Sequence, residues 1–225
     1  MRRLVILRPE PGASASVVAA RALGLDAVAM PLFEACPVDW VAPDPEDFDA
    51  ILLTSANAVR HGATQLGNFH HLPVHAVGQA TADAARAAGF AEIDAGGGDV
   101  AALLGMLPRS LRLFHLCGRD RRAVDATRTI TAVPVYRSFF LPCPAGFAAI
   151  ADAVVAVHSP RAGARLAELA DAASVERDRV SIAAISAAAA SAVGEGWHSV
   201  TSAAAPNDRA LLELAARLCE KARAS

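Results

Sequence analysis

The sequence contains few cysteines and no cluster of metal ligands. Its four cysteines lie far apart in a chain of 225 residues, without a CxxC pair: Cys36, Cys117, Cys143 and Cys219. Metal sites usually need several Cys or His ligands at short, regular spacings. We therefore predict no metal site, and we interpret the thiols as small buried side chains in a reducing cytoplasm.

Sequence motifs of several enzyme classes are also missing. There is no GxSxG elbow of a hydrolase, no GxxxxGK[ST] loop for a nucleotide and no dinucleotide GxGxxG motif. The GGGD segment (Gly96–Asp99) lacks the dinucleotide spacing, so we interpret it as the entry to a helix capped by Asp99. These absences predict a protein that needs no organic cofactor.

Charge and hydropathy argue against two kinds of partner. The formal net charge is −2, without the strong basic excess typical of nucleic-acid-binding proteins. No apolar run is long enough to span a bilayer, and Arg8, Pro9 and Glu10 end the first apolar stretch, which we interpret as a strand rather than a secretory leader. We expect a cytoplasmic monomer that binds a small molecule, with no nucleic acid and no membrane partner.

The sequence does contain one internal repeat, a pattern that occurs twice. Each copy predicts strand, hydroxyl-bearing turn, helix, strand, small-residue turn and helix. The copies are DAILLTSANA with HAVGQATADAARAAGF (Asp49–Ala58 and His75–Phe90), and DAVVAVHSPRA with IAAISAAAASAVGEGW (Asp152–Ala162 and Ile182–Trp197). The repeat predicts an α/β protein with two similar lobes, each a parallel sheet flanked by helices, and a ligand cleft between the lobes.

Two proline-containing segments indicate where the chain crosses between the lobes. They are EACPVDWVAPDPEDF and ITAVPVYRSFFLPCP, before and after the first copy of the repeat. We predict a discontinuous lobe of residues 1–35 and 139–225, and an inserted lobe of residues 38–134. Two strand-like linkers, near 34–38 and 134–140, would join the lobes and act as a hinge.

Two local signals define the first elements of the chain. Ser14 is the expected N-cap of a helix that ends at Gly24. The segment AVAMPLF then predicts a single strand over Ala27–Phe33.

Small or hydroxyl-bearing residues stand where four strands give way to helices: Ser55, Gly78, Ser159 and Ser186. These turns belong to the carboxyl edge of a parallel sheet, where α/β folds place ligands. Unpaired N–H groups at helix starts attract anions. Each serine alone reads most simply as an ordinary N-cap. Four such turns in matching places favour a site for several carboxylates or phosphates.

Five arginines follow predicted strands and are candidates to add positive charge: Arg8, Arg119, Arg121, Arg122 and Arg161. Any one of them is more often a solvated surface residue, but Arg8 and Arg161 share one predicted lobe and its ligand edge. His158 and Ser159 are not a catalytic pair by adjacency, since neighbouring strand side chains point to opposite faces. Tyr136, the only tyrosine, lies in the return linker and is either a packing anchor or a proton donor.

The order of six segments resembles the uroporphyrinogen-III synthase family across nearly the whole chain. They are LRPE, LLTSANAV, HAVGQATADAARAAGF, PVYRS, AVHSPRA and AAPNDRALLELAARL. The resemblance implies a two-lobed, cofactor-independent lyase of tetrapyrrole and haem biosynthesis. Its substrate would be hydroxymethylbilane, a linear tetrapyrrole with eight carboxylates, which is closed to uroporphyrinogen III with inversion of ring D through a spiro intermediate.

The residues and the resemblance together define a candidate site. Tyr136 is the candidate catalytic residue, and the candidate substrate-binding residues are Arg8, Ser55, Ala56, Asn57, Gly78, Gln79, Thr81, Gly118, Arg119, Ser159, Pro160, Arg161, Ser186 and Ala189. The chain departs from the family in its second repeat, where Ser186 and Ala189 replace the usual Gly and Thr.

Two alternatives to an enzyme stay open. One is a non-catalytic, tetrapyrrole-binding or regulatory two-lobed protein. The other is an assembly factor that holds a protein segment in its cleft.

Overall fold

The computed structural model describes residues 1–120 and 127–220 of the chain. The chain divides into two compact units. Unit 1 comprises Met1–Glu34 and Phe140–Ser225, and unit 2 comprises Ala35–Phe139. Unit 1 is discontinuous because the whole of unit 2 is inserted between its two parts.

Strands and helices alternate along most of the chain. The strands are β1 (Leu4–Ile6), β2 (Ala27–Ala29), β3 (Phe33–Pro37), β4 (Ala50–Leu53), β5 (Val74–Ala76), β6 (Ile93–Ala95), β7 (Leu113–Gly118), β8 (Ile130–Phe140), β9 (Val154–Val157), β10 (Ser181–Ala184) and β11 (Ser199–Ser202). The helices are α1 (Gly12–Ala22), α2 (Ala56–Gly62), α3 (Gln79–Ala87), α4 (Val100–Met106), α5 (Pro160–Ala172), α6 (Ala187–Ala192) and α7 (Asp208–Glu220). Short 3-10 turns lie at Pro45–Asp47, Ala63–Phe69, Phe147–Ile150 and Arg177–Arg179.

The two copies of the repeated pattern form the same succession of elements. The first copy forms β4, α2, β5 and α3, and the second forms β9, α5, β10 and α6. Within residues 1–120 and 127–220, no helix is both long enough and apolar enough to cross a bilayer.

Unit 1 contains a parallel five-stranded sheet with helices on both faces. The strand order is β11-β10-β9-β1-β2, and all residues of β1, β9 and β10 are buried. Because strand side chains alternate between faces, Val5 and Val155 pack with α5 and α6, whereas Leu4 and Val154 pack with α1 and α7. This arrangement confirms the predicted α/β class.

Unit 2 contains a six-stranded mixed sheet in the order β3-β8-β7-β4-β5-β6. Strands β4, β5, β6, β7 and β8 are parallel to one another. At the edge, the Val38 N–H donates to the Val135 carbonyl at 3.1 Å and the Leu141 N–H donates to the Leu32 carbonyl at 3.0 Å. The residue numbers of the paired positions fall along one strand as they rise along the other, so β3 is antiparallel to β8. The chain runs into unit 2 along β3 and out along β8, which is why this pair is not parallel.

Two local expectations were wrong. The segment Ala27–Phe33 is not one strand, because β2 ends at Ala29 and β3 begins at Phe33, with Pro31 between them. Ser14 is not an N-cap, because α1 begins two residues earlier, at Gly12. Ser14 therefore lies in the first turn, and its N–H and hydroxyl donate to the Glu10 carboxylate at 3.0 and 2.9 Å. The acid before the helix takes the capping role that we assigned to the serine.

An aromatic stack lies at the centre of the unit 2 core. The fully buried ring of Phe114 on β7 stacks on Phe48 at 5.0 Å and on Phe69 at 4.7 Å between centroids. Such pairs add to the large apolar area that each ring removes from water. Phe114 therefore connects the sheet to the segments before and after α2.

We predict that Phe114→Ala lowers the free energy of unfolding by about 3–5 kcal/mol, because it leaves a cavity beside the rings of Phe48 and Phe69. Urea unfolding followed by circular dichroism measures the change. Phe139→Ala is the matched control, since that ring is 39% exposed, and it should cost less than about 1 kcal/mol. Equal losses in the two variants would contradict this view of the core.

Candidate functional site

The carboxyl ends of four parallel strands lie side by side at one edge of the unit 2 sheet. Leu53 on β4 pairs with Ala76 on β5 and with Leu116 on β7. Since parallel strands end at the same edge, the residues that follow them share it. The candidate residues along this edge are Ser55, Gly78, Gly118 and Tyr136.

The ring of Tyr136 lies directly over Gly118. These residues are paired across β7 and β8, beside an irregularity in the register between Cys117 and Gly118. A methyl group placed on Gly118 would lie 2.8 Å from Cζ of Tyr136 and 3.0 Å from its phenol oxygen. The Arg119 N–H also donates to the Tyr136 carbonyl at 2.8 Å. A glycine at 118 is therefore required for the observed position of the phenol.

The imidazole of His61 on α2 is the aromatic neighbour of Tyr136, with 5.8 Å between ring centroids. Burial lowers the pKa of His61 below its ordinary value, and the positive charge of Arg60 lowers it further. The imidazole beside the phenol is accordingly neutral at neutral pH.

The start of α3 is open on the side of Gly78. Its N-cap, Gly78, has no side chain to bond the first N–H groups of the helix. A methyl group placed there would meet only Cα of Gly98, at 3.9 Å. Gly98 has φ of +100° and donates its N–H to the Val77 carbonyl at 2.7 Å. Two glycines thus leave space beside these N–H groups.

The turn before α2 is held by its own side chains. The Ser55 hydroxyl accepts from the Asn57 N–H at 3.2 Å, and Arg60 donates to the Asn57 side-chain oxygen at 3.0 Å. Ala56 is the first residue of the helix and is partly buried. The hydroxyl of Ser55 therefore orders the turn and satisfies one of the first N–H groups of the helix.

Three further candidates of unit 2 differ in their surroundings. Gln79 donates its side-chain amide to Asp83 at 2.8 Å, Thr81 is buried, and Arg119 is exposed at the end of β7. Arg121 and Arg122 lie outside the described residues.

Two serines cap helices at the carboxyl edge of the unit 1 sheet. The Ser159 hydroxyl accepts from the Ala162 N–H at 3.1 Å at the start of α5, where Pro160 occupies the first helical position. The Ser186 hydroxyl accepts from the Ala189 N–H at 3.3 Å at the start of α6. Both hydroxyls are thus engaged as N-caps, which satisfies one N–H of each helix.

Ala189 presents no side-chain group to solvent. Its methyl is fully buried in the core between α5 and α6, and its carbonyl lies 3.0 Å from the position of a methyl placed on Gly163. The two helices therefore pack at close range at this residue. The position where the resemblance leads us to expect threonine is used here for packing.

The guanidinium of Arg161 contacts two aromatic rings. Its Cζ lies 5.0 Å from the centroid of Phe33 and 4.8 Å from that of Phe140, and Arg165 lies 5.1 Å from Phe140. Cation–π contacts of this kind hold a charged group near apolar surface without neutralising it. These contacts hold the guanidinium of Arg161, the second residue of α5, beside two aromatic rings.

A polar cluster that we did not predict joins Arg8 to helix α7. The Asp208 carboxylate accepts from His158 Nε2 at 2.8 Å, from the Ser16 hydroxyl at 2.9 Å and from Arg8 Nη1 at 3.3 Å. His158 pairs with this distant acid and not with its neighbour Ser159. No local sequence signal identifies the cluster, because Asp208 is about two hundred positions from Arg8 in the chain.

The electrostatics of this cluster follow from its burial. Burial lowers the pKa of His158, and the hydrogen bond to Asp208 opposes that effect only in part. Burial alone would raise the pKa of Asp208, but His158, Ser16 and Arg8 together lower it. The cluster therefore holds a carboxylate, a guanidinium and a neutral imidazole that donates from Nε2.

In the described ranges, no three acidic, His or Cys side chains come together as candidate metal ligands. Burial raises the pKa of the Cys219 thiol to about 11, so that thiol is protonated at neutral pH.

Comparison with known proteins identifies one family that this chain matches. The model of the family described as "Uroporphyrinogen-III synthase HemD" matches residues 14–213. The chain has the fold of a uroporphyrinogen-III synthetase structure from Helicobacter pylori 26695, with a TM-score of 0.63 and 17% identity over 97% of this chain and 100% of that one. A mutant uroporphyrinogen III synthase from the extremely thermophilic bacterium Thermus thermophilus gives a TM-score of 0.53 and 18% identity over 98% and 100% of the two chains. No curated protein sequence matches significantly.

We predict that His158 makes the fold less stable in mild acid. The unfolded chain takes up a proton near pH 6.5, whereas the folded chain binds it only at lower pH, so the free energy of unfolding falls as the pH drops through this window. His158→Asn removes this protonation and should show a smaller fall between about pH 7.5 and 5.5 in urea unfolding. His71→Asn, at an exposed histidine, should keep the wild-type fall. An unchanged fall in His158→Asn would refute the assignment.

Proposed function

The chain belongs to the uroporphyrinogen-III synthase family, and on that basis we propose that it converts hydroxymethylbilane to uroporphyrinogen III with inversion of ring D. In this reaction the hydroxymethyl C–O bond breaks and the hydroxyl leaves as water, which produces an azafulvene cation. The substituted α-carbon of ring D attacks the exocyclic carbon to form a spiro intermediate. Fragmentation and reclosure at the other α-carbon then invert the ring and release a proton. The net change is loss of one water.

The observation that best supports this proposal is the phenol of Tyr136 over Gly118 at the carboxyl edge of the unit 2 sheet. We propose that the phenol donates its proton to the departing hydroxyl. The proton released when ring D closes then restores the phenol, so no external acid or base is consumed. The pyrroles delocalise the cation themselves, and the neutral imidazole of His61 adds no positive charge beside it.

The remaining task of the protein is to hold a flexible polyanion in one conformation. Direct closure to the type I isomer competes with the spiro route, so orientation decides the product. In our proposal, N–H groups at the starts of α2, α3, α5 and α6 bind substrate carboxylates without needing a formal charge at each turn. The guanidinium groups of Arg8, Arg119 and Arg161 supply additional attraction.

One observation favours a second candidate function. In unit 1 the position of the usual threonine is the buried Ala189, and the Ser186 hydroxyl is already engaged as an N-cap. A member of the family that binds a tetrapyrrole without converting it would have such a reduced site. Product analysis distinguishes the two functions.

The decisive experiment supplies freshly prepared hydroxymethylbilane to the purified protein and separates the uroporphyrin isomers after oxidation. We expect the type III isomer, whereas a control without protein gives type I. If type I alone forms at the control rate, the chain is not a uroporphyrinogen-III synthase under these conditions and the binding function takes precedence.

We expect Tyr136→Phe to lower kcat by about 10²-fold, the contribution of a full general acid. The ring and its packing over Gly118 are kept, so the melting temperature should stay close to that of the wild type. A variant with normal melting and an unaltered kcat would remove Tyr136 from the mechanism and leave it as a packing residue.

A second pair of variants tests anion binding at the start of α3. Gly78→Asp should raise KM for hydroxymethylbilane by roughly tenfold or more, because it places a negative charge beside N–H groups that attract carboxylates. Gly78 has an extended backbone with φ of −153° and open space at its Cβ position, so the variant should fold. Gly78→Ala is the matched control and should change KM less than about threefold. If Gly78→Asp melts normally and keeps its KM, this turn is not part of the site.

A further inference from the structure

The guanidinium of Arg8 is held from one side by a buried polar network. Its Nη1 donates to the Ser16 hydroxyl at 3.2 Å and to the Asp208 carboxylate at 3.3 Å. Ser16 is fully buried, and the side chain of His158 is 7% exposed. Two of the three groups that bind Asp208 therefore lie inside unit 1, which leaves the carboxylate little freedom to move.

The side of the guanidinium that carries Nε and Nη2 faces Gly12 at the start of α1. A methyl group placed on Gly12 would lie 2.6 Å from Nε and 2.9 Å from Nη2 of Arg8. Any other residue at position 12 would displace the guanidinium. The arginine is thus constrained both through Nη1 and through the space that Gly12 leaves.

Because Gly12 has no side chain, space remains beside Nε and Nη2 of Arg8 for a ligand. In the described part of the chain, no residue accepts a hydrogen bond from Nε or Nη2 of Arg8. That pair of donors is the one that binds a carboxylate side-on with two parallel hydrogen bonds. The Arg8 side chain is 34% exposed, and its position two residues after β1 places it beside His158 at the carboxyl edge of the sheet.

An alternative is that the Arg8–Asp208 pair only stabilises the fold. Both side chains are about one-third exposed, and ion pairs with that much solvent contribute little to stability. The pair therefore matters more for the position of Arg8 than for the stability of the fold. The network restricts a long and otherwise mobile side chain at a predicted ligand edge.

We infer that Asp208, with Ser16 and His158, is a positioning residue that holds Arg8 through Nη1 so that its Nε and Nη2 bind one carboxylate of the substrate. The inference rests on the proposed function, since it names the substrate group that Arg8 receives. Asp208 acts through Arg8 and does not touch the substrate. Asp208 affects substrate binding and not the chemical step, so its substitution should change KM and not kcat.

A double-mutant cycle tests this inference. Asp208→Asn should raise KM for hydroxymethylbilane about tenfold, comparable to loss of one charge-assisted hydrogen bond, with kcat within about twofold of wild type. In an Arg8→Gln background, Asp208→Asn should have no further effect on KM. Glu213→Gln is the matched control, because it removes an acid from the same helix whose partner is the exposed Arg209. Additive effects of the two substitutions, or a KM that falls in Asp208→Asn, would overturn the inference.

Two additions keep the test decisive. Gly12→Ala leaves Asp208 intact and favours the helix, yet it should raise KM by a similar factor because it displaces Arg8; it replaces Asp208→Asn if that variant fails to fold. The same cycle is also measured as the Kd for uroporphyrin I, a stable octacarboxylate, by its fluorescence. If the wild type forms no type III product, the proposed function fails while the Kd cycle still decides whether Asp208 acts through Arg8. If type III product forms but the cycle is additive in both KM and Kd, only the present inference fails.

Discussion

Parallel pairing of neighbouring strands determines where the candidate site residues of this protein lie. Backbone hydrogen bonds between β4, β5, β7 and β8 align their carboxyl ends, and the same pairing aligns β1, β9 and β10 in the other sheet. Every helix that follows one of these strands begins at the aligned edge, so its N–H groups face the same side. A single repeated constraint therefore collects backbone donors without any long loop or special motif.

Much of the fold was predictable because its signals are local. A strand, a small or hydroxyl-bearing turn and a helix occupy adjacent positions in the sequence, so the two repeats and the N-caps Ser159 and Ser186 follow from short segments. The positions of Ser55 and Gly78 at strand ends follow in the same way. The roles of these residues toward a ligand stay predictions, since they depend on groups that a short segment does not contain.

The remaining features depend on residues that are distant in sequence. The antiparallel pairing of β3 with β8 depends on the choice of partner strand, which a strand-like segment alone does not specify. We predicted Gly118 as a substrate contact from the sequence. The structure gives a steric reason for a glycine at this position, because any side chain would meet the ring of Tyr136. The network around Asp208 joins four segments of unit 1. Even a local signal failed at Ser14, because the Glu10 carboxylate accepts from the Ser14 N–H and hydroxyl, and the serine lies inside the helix instead of capping it.

The insertion of unit 2 also has a consequence for biosynthesis on the ribosome. Strand β1 lies between the edge strand β2 and the central strand β9 of its sheet, and β9 is translated only after all of unit 2. At typical elongation rates of about 5–20 residues per second, the β1–β2 pair waits roughly 6–25 seconds for its central neighbour. During that interval the apolar side chains of β1 and α1 have no complete core to enter. The nascent chain therefore exposes these apolar side chains until β9 is made, while the inserted unit is able to fold first.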